Sequence, residues 1–218
     1  MTDFRLRQFC SPQNEISNEA SAFVLFWDHL FNGIAPKNFK ITSMDTPVAA
    51  SKWRKLKTYD NTKNVQGRRS DKGWVSSTGQ AIAWGEAKKE DDVGSLKEAA
   101  HTTMKAIKGA KDCNDYNLNQ TGRHTETFAT TWLGLDWHVY ALIGLESGIS
   151  IVAEVFSLKM PPNVEGFFQL TDVMRHILAW NESMVRIANV LAGPKVRDNS
   201  DTRRRMLSAP TPQSSPAK

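Results

Sequence analysis

Two short runs of residues with strand character constrain the fold of this chain more than any other feature. They span residues 71–76 (DKGWVS) and 81–88 (AIAWGEAK), and a polar segment with a glycine separates them. Short β-prone runs on either side of a turn that contains glycine are typical of an antiparallel hairpin. A two-residue loop at Thr78-Gly79 would place Asp71 directly opposite Glu86.

The same register predicts how the rest of the hairpin pairs. Gly73 would face Trp84, Val75 would face Ile82, and Trp74 would stand over Ala83 on the reverse face. Apolar groups would then meet apolar groups along most of the hairpin.

The charged end of the hairpin holds three candidate site residues. Residues two apart on a strand point to the same face, so Glu86 and Lys88 project side by side. Asp71 would join them, and two directly opposed carboxylates repel. A hard cation such as Mg²⁺ would compensate, because it takes oxygen ligands and often only one or two carboxylates. The alternative is a solvated hairpin end with unpaired surface charges.

The remaining elements predict an α/β fold, in which a central mixed sheet is flanked by helices. A second helix begins at the capping box Ser95-Leu96-Lys97-Glu98 and stops before Asn114, with Leu96, Ala100, Met104 and Ile107 on one face. The other predicted elements are a helix from Pro12 to Phe31, a strand around Lys52 to Thr58, strands at 127–135, 137–145 and 149–158, and a helix from Val164 to Leu191.

Asp71, fourteen intervening residues and then Glu86-Ala87-Lys88 resemble the signature of the PD-(D/E)XK nuclease superfamily. The chain also resembles fungal nuclease-like domains of this superfamily, over roughly residues 12 to 190. In that superfamily the acids lie on paired strands of a small mixed sheet, between an N-terminal helix and a following helix. The proline that precedes the first acid in the family is Ser70 here.

The resemblance implies a restriction-endonuclease-like fold and a metal site. Asp71, Glu86 and the Ala87 carbonyl would bind Mg²⁺ or Mn²⁺, and Lys88 would orient or deprotonate the attacking water. The family often adds an acid from the first helix. Glu19 is favoured there, because helical geometry puts it at the edge of the apolar stripe, although an ordinary surface glutamate is the competing interpretation.

The second helix presents Lys97, His101, Lys105 and Lys108 along its polar face. In the family this helix lends a polar group to the site, and Lys97, His101 and Lys105 are candidates for contact with nucleic acid. Their alternative role is that of ordinary solvated side chains. His138 alternates along a predicted strand and is interpreted as a sheet residue.

Composition narrows the class of protein. The balance of 28 basic against 23 acidic residues gives a net charge of +5, which suits DNA or RNA as a partner but also occurs in many enzymes. Seven Trp indicate a core or binding surface rich in large rings. Cys10 and Cys113 are far apart and are expected to be reduced. No apolar run suggests a signal peptide or a membrane span, so we expect an intracellular protein, nuclear or cytoplasmic.

Residues 194–218 form a basic segment rich in Pro and Ser, predicted to be a disordered tail after a nuclease-like domain at 1–193. The leading functional hypothesis is a metal-dependent nuclease. The alternative is a catalytically silent nuclease-like domain that binds nucleic acid or a protein. A role in regulating an attached kinase is weaker, because no kinase motif occurs. The sequence leaves open DNA against RNA, and a homodimer against a monomer.

Overall fold

Short β-prone runs and long helices alternate along the chain and form one sheet with helices packed against it. The computed structural model describes residues 31, 36, 39–43, 49–58, 67, 69–88, 95–145, 149–160 and 168–196. In chain order the elements are β1 (Phe39–Ser43), α1 (Ala49–Thr58), β2 (Lys72–Ser76), β3 (Ala81–Lys88), α2 (Leu96–Thr121), β4 (Glu126–Leu133), β5 (Asp136–Gly144), β6 (Ser150–Lys159) and α3 (Leu170–Ala192).

The sheet has six strands in the order β1-β2-β3-β4-β5-β6. Neighbouring strands are antiparallel except for β3 and β4, which are parallel. The long helix α2 makes the crossover that a parallel pair requires. The predicted α/β architecture with a mixed sheet and flanking helices is confirmed. The predicted helix from Pro12 lies outside the described residues, except for Phe31, which is helical.

The β2–β3 hairpin has a longer loop than predicted. The Ser76 N–H donates to the Gln80 carbonyl (2.8 Å), and the Gly79 N–H donates to the Ser76 carbonyl (2.9 Å). Three residues, 77–79, therefore form the loop instead of two. Gly79 has a φ of 89°, a conformation that glycine adopts without steric cost and that closes a loop of this length.

A β-bulge compensates for the additional loop residue. Val75 pairs with Ala81, and the register then shifts so that Trp74 pairs with Ala83. The predicted pairing of Val75 with Ile82 is wrong, because Ile82 is the additional residue in the bulge. The predicted pairing of Trp74 with Ala83 on the reverse face is confirmed, as is that of Gly73 with Trp84.

The two faces of the sheet are filled differently. On the α3 face, large rings pack edge-on and stacked: Phe31, Trp74, Trp132, Trp137 and Trp180. On the α2 face a single indole, that of Trp84, packs among small residues of α2 and Ala129. Most of the tryptophans in the sequence therefore lie in one aromatic core.

The predicted apolar face of α2 is wrong except at Ile107, which packs against the core. Leu96 is 92% exposed, Met104 is also exposed, and the buried side of the helix carries small residues such as Ala106, Gly109 and Ala110. The reason is the volume of Trp84, which leaves room only for small side chains between helix and sheet. The turn of helix that carries Lys105 consequently faces the sheet.

The end of α2 is also later than predicted. The helix continues past Asn114 to Thr121 and ends at Gly122, whose φ is 71° and whose N–H donates to the Leu118 carbonyl. Asn117 is tolerated in the helix because its side chain donates to the Ala81 carbonyl at 2.8 Å. The predicted start is confirmed, since the Ser95 side chain accepts the Glu98 N–H.

Gly109 offers a test of this close packing. A Cβ built on Gly109 would lie within 3.0 Å of three atoms of the Trp84 indole. At a solvent-exposed position of a helix, replacing Gly by Ala stabilises the helix by up to about 1 kcal/mol. We expect the opposite sign for Gly109→Ala, a loss of about 2 kcal/mol in the free energy of unfolding, because the indole must move. Urea unfolding measures it, and an unchanged or higher stability would contradict the packing described.

Residues 52–58 are helical, so the predicted strand there is wrong. The segment AASKWRKLKT is rich in good helix formers and has no β-branched residue before its last position. The resulting helix α1 packs on α2, where Arg54 pairs with Asp112 (2.8 Å) and the rings of Trp53 and Tyr116 meet edge to face. This contact between helices outweighs any strand propensity.

The predictions for the second half of the chain agree with β4, β5 and β6 to within two residues. The last helix was predicted from Val164. Helix α3 begins at Leu170, and residues 161–167 lie outside the described part. The first tail residues contact the domain, because the Val196 N–H donates to the Thr121 carbonyl at 3.0 Å. Residues 197–218 lie outside the description. Among the described helices, none is long and apolar enough to cross a membrane.

Candidate functional site

The hairpin register brings Asp71 and Glu86 to the same end of the sheet. Lys72 pairs with Gly85, so Asp71 lies beside Glu86. The Asp71 N–H donates to the Gly85 carbonyl (3.0 Å), and the Asp71 carboxylate accepts the Ala87 N–H (2.7 Å). The backbone of both strands thus fixes the position of this carboxylate. The adjacency predicted from the sequence is present.

Glu86 is buried, with 1% of its surface exposed. One carboxylate oxygen accepts the Trp84 indole N–H at 2.7 Å, and the other contacts the Lys105 ammonium. The pKa of Glu86 rises from an ordinary 4.5 to about 7, first because burial removes water and second because the charge of Asp71 lies nearby. Lys105 and the indole oppose this shift. The arrangement keeps a carboxylate poised between its charged and neutral forms near neutral pH.

Lys105 is the site residue that sequence reasoning placed least well. The sequence predicts that Lys105 contacts nucleic acid, whereas the structure puts its ammonium on Glu86. Its side chain is still partly exposed. The small residues Ala106, Gly109 and Ala110 are the feature of the sequence that indicates that this side of α2 packs against the sheet.

Lys88 lies at the end of β3, two residues beyond Glu86 and half-buried. Strand alternation puts it on the same face as Glu86, as predicted. The Lys88 carbonyl accepts the Gly134 N–H at 2.7 Å, which anchors the end of the strand to the β4–β5 turn.

The other predicted residues are more distant or lie outside the description. Lys97 and His101 are exposed on the first turns of α2, at one-turn spacing before Lys105. Ala87 lies in β3, and its N–H is the group seen to contact Asp71. Glu19 lies outside the described residues.

On the α2 face of the sheet, a row of side chains runs from Glu86 across the neighbouring strands. Glu86 pairs with Thr131 on β4, and Thr131 pairs with His138 on β5. His138 is held by Glu154 through Nδ1 at 3.1 Å. Thr131 is completely buried, and its hydroxyl has no hydrogen-bond partner within the described part of the chain. Sequence reasoning missed Thr131, since a threonine in a strand carries no distinctive signal.

Lys72 is a second buried charge that the sequence did not reveal. Alternation puts it on the α3 face with Trp74, opposite to the acids. Burial lowers its pKa to about 8. It therefore belongs to the aromatic side of the sheet and not to the carboxylate cluster.

Asp71 and Glu86 offer the kind of oxygen that a hard divalent cation takes. Asp71 and Glu86 supply two carboxylates, and the Lys105 ammonium shows that the site accommodates a cationic group against Glu86. The unpartnered Thr131 hydroxyl adds a further oxygen on the neighbouring strand. Oxygen-only sets with one or two carboxylates suit Mg²⁺, with water and substrate oxygens completing the shell. No group of three or more His, Cys, Asp or Glu converges within the described ranges.

Comparisons with known proteins found no match for this chain: no family model, no curated protein and no solved structure matches it.

Proposed function

We propose that this protein is a metal-dependent nuclease of the PD-(D/E)XK type that hydrolyses phosphodiester bonds of DNA or RNA. The observation that carries the proposal is the buried Glu86 carboxylate beside Asp71, with Lys88 on the same face. A buried carboxylate next to a second one costs stability, and such arrangements are concentrated at functional sites.

The order of elements supports the proposed family. The acids lie on paired antiparallel strands, and the long helix α2 follows directly and leads to a strand parallel to β3. This is the setting expected for the acids in the PD-(D/E)XK superfamily. The proposed fold is therefore the restriction-endonuclease-like one, with β2, β3, α2 and β4 at its centre.

The chain's own residues have distinct roles in the proposed reaction. Asp71, Glu86 and the Ala87 carbonyl would hold Mg²⁺ or Mn²⁺. When bound, the ion would polarise the phosphate and acidify a water molecule. Lys88 would orient that water and stabilise the charge that develops. Without the ion, Lys105 neutralises Glu86. With the ion bound, Lys105 would turn towards the phosphate, because its side chain is partly exposed.

A path for the substrate follows from the basic residues on α2. Lys97, His101 and Lys105 recur at one-turn spacing and so lie along one side of the helix. They lead from the exposed start of α2 to the carboxylates. Lysine is an effective point charge for phosphate, so this line would guide a nucleic-acid backbone to the site.

The test is cleavage of labelled DNA and RNA oligonucleotides, duplex and single-stranded, by the whole chain. We expect cleavage with Mg²⁺ or Mn²⁺ and none with EDTA. If the chain binds the oligonucleotides more weakly as salt rises but does not cut them, the binding function below replaces the nuclease. If it neither cuts nor binds them, both proposals fail.

The second candidate function is a silent nuclease-like domain that binds nucleic acid or a protein. Two contacts favour it. Lys105 already compensates the charge of Glu86, so the acids do not need a metal for the fold to be stable. Asp71 also has a structural contact, because it accepts the Ala87 N–H.

A further inference from the structure

The edge strand β6 exposes apolar side chains in a way that no other described strand does. Residues 151–155 are all exposed, so both faces of the strand are open to water in this part. Ile149, Ile151, Val152 and Val155 are large exposed apolar residues of this segment, and Ile143 and Leu145 extend the patch onto β5. Isolated exposed apolar residues are ordinary, but a contiguous group marks an interaction surface.

The backbone of β6 is open as well. The strand is the last one in the sheet, and it pairs with β5 along one edge only. Within the residues that the structure describes, no strand covers its outer edge. A long, apolar edge strand is a template for pairing with another strand, and native proteins normally cover or charge such edges. The segment 149–155 contains a single charged residue, Glu154.

The residue pattern of the segment indicates which partner fits. Residues 149–155 read ISIVAEV, in which the order of apolar and polar residues is the same in both directions about Val152. An antiparallel copy centred on Val152 would place Ile149 opposite Val155, Ser150 opposite Glu154, Ile151 opposite Ala153, and Val152 opposite itself. Val155 is the additional residue of a bulge against β5, so regular pairing is expected over 150–154. Every apolar residue meets an apolar one.

We propose that β6 pairs with β6 of a second copy of this chain, antiparallel and centred on Val152, to form a two-fold symmetric dimer with one continuous sheet. Such an interface requires the same patch to be complementary to itself, which the pattern at 149–155 satisfies. Pairing at a sheet edge supplies main-chain hydrogen bonds, and the side chains set the register.

Charge argues for a second copy over nucleic acid at this surface. The segment has no Lys or Arg, and Glu154 would repel phosphate. The copies do repel each other through their net charge of +5, but the segment itself adds only the two Glu154 carboxylates. Each of these lies at a distance from the two-fold axis, opposite a serine. The inference is independent of the proposed nuclease function.

Light scattering after size-exclusion chromatography tests the proposal. We expect the parent chain to have twice the mass of one chain. Val152→Lys sets two lysines opposite one another and should raise the dissociation constant at least about tenfold, since opposed like charges are costly at an interface. The matched control is Val190→Lys on α3, because Val152 and Val190 are similarly exposed, at 40% and 42%. It should remain dimeric.

A cross-link provides a second readout that does not depend on weakening the dimer. In a Cys10→Ser background, Val152→Cys should form a covalent dimer under mild oxidation, because residue 152 faces itself at close distance. Val190→Cys should not. Cys113 is completely buried and does not compete. A parent chain that is monomeric at every concentration overturns the proposal, and so does a dimer that neither residue 152 variant affects.

Discussion

Asp71→Ala and Glu86→Ala are each expected to abolish Mg²⁺-dependent cleavage and to leave the sheet folded. Both acids supply proposed metal ligands, so either change removes an oxygen that no neighbouring group replaces. The fold should survive, because each change also relieves the repulsion between the two carboxylates, which adds to burial in raising the pKa of Glu86. Cleavage assays beside thermal melts with and without Mg²⁺ measure both effects. The metal should raise the melting temperature of the parent chain and not that of these variants.

Lys88→Ala separates metal binding from turnover. The acids remain, so Mg²⁺ should still raise the melting temperature, while cleavage should fall by about two orders of magnitude. Glu182→Ala, at an exposed position on α3, is the control and should behave like the parent. If Mg²⁺ never shifts the melting temperature and all three site variants lose stability alike, the trio is structural and the nuclease proposal is wrong.

The second large effect concerns Glu86 and pH, measured in EDTA. The folded state raises the pKa of this acid from 4.5 to about 7, so it holds the proton more tightly than the unfolded chain does. The parent therefore loses stability as pH rises through this range. The glutamine of a Glu86→Gln variant does not ionise, so the variant does not lose stability in this way. We expect the variant to exceed the parent by about 3 kcal/mol at about pH 8, and by little below pH 4.5.

Urea unfolding of both proteins across this pH range makes the measurement. Glu182→Gln serves as the matched control, since its side chain is exposed, and its stability should follow that of the parent at every pH. A Glu86→Gln variant that is less stable than the parent at high pH would contradict the prediction. It would mean that the Lys105 contact outweighs both burial and the charge of Asp71.

The neighbourhood of Asp71 and Glu86 could be predicted because strand geometry is periodic. A two-residue period and one turn signal suffice to relate residue 71 to residue 86. The detail between them could not be predicted. A three-residue loop and a bulge at Ile82 depend on backbone choices that the residue pattern leaves open, and their effects on the register cancel.

The orientation of α2 could not be predicted from the sequence, for a different reason. The pattern of large apolar residues suggested that Leu96 and Met104 face the core, yet both are exposed. What decides the orientation is the volume of Trp84 on another element, which selects Gly109 and Ala106 as the buried side. Hydrophobic periodicity reports which residues can be buried, but not how much space the opposing surface leaves. The contact between Lys105 and Glu86 depends on that space.

The hairpin also bears on how this chain can change length during evolution. If a deletion in the 77–79 loop drew Gln80 into the loop, so that Ser76 paired with Ala81 and a bulge in β3 persisted, β2 would slide by one position along β3. Lys72 would then take the place of Asp71 beside Glu86, and every side chain of β2 would exchange faces. The aromatic core would lose Trp74 in the same event. A change in loop length should therefore be tolerated only where Ser76 and Gln80 still pair, because that pair keeps Asp71 beside Glu86.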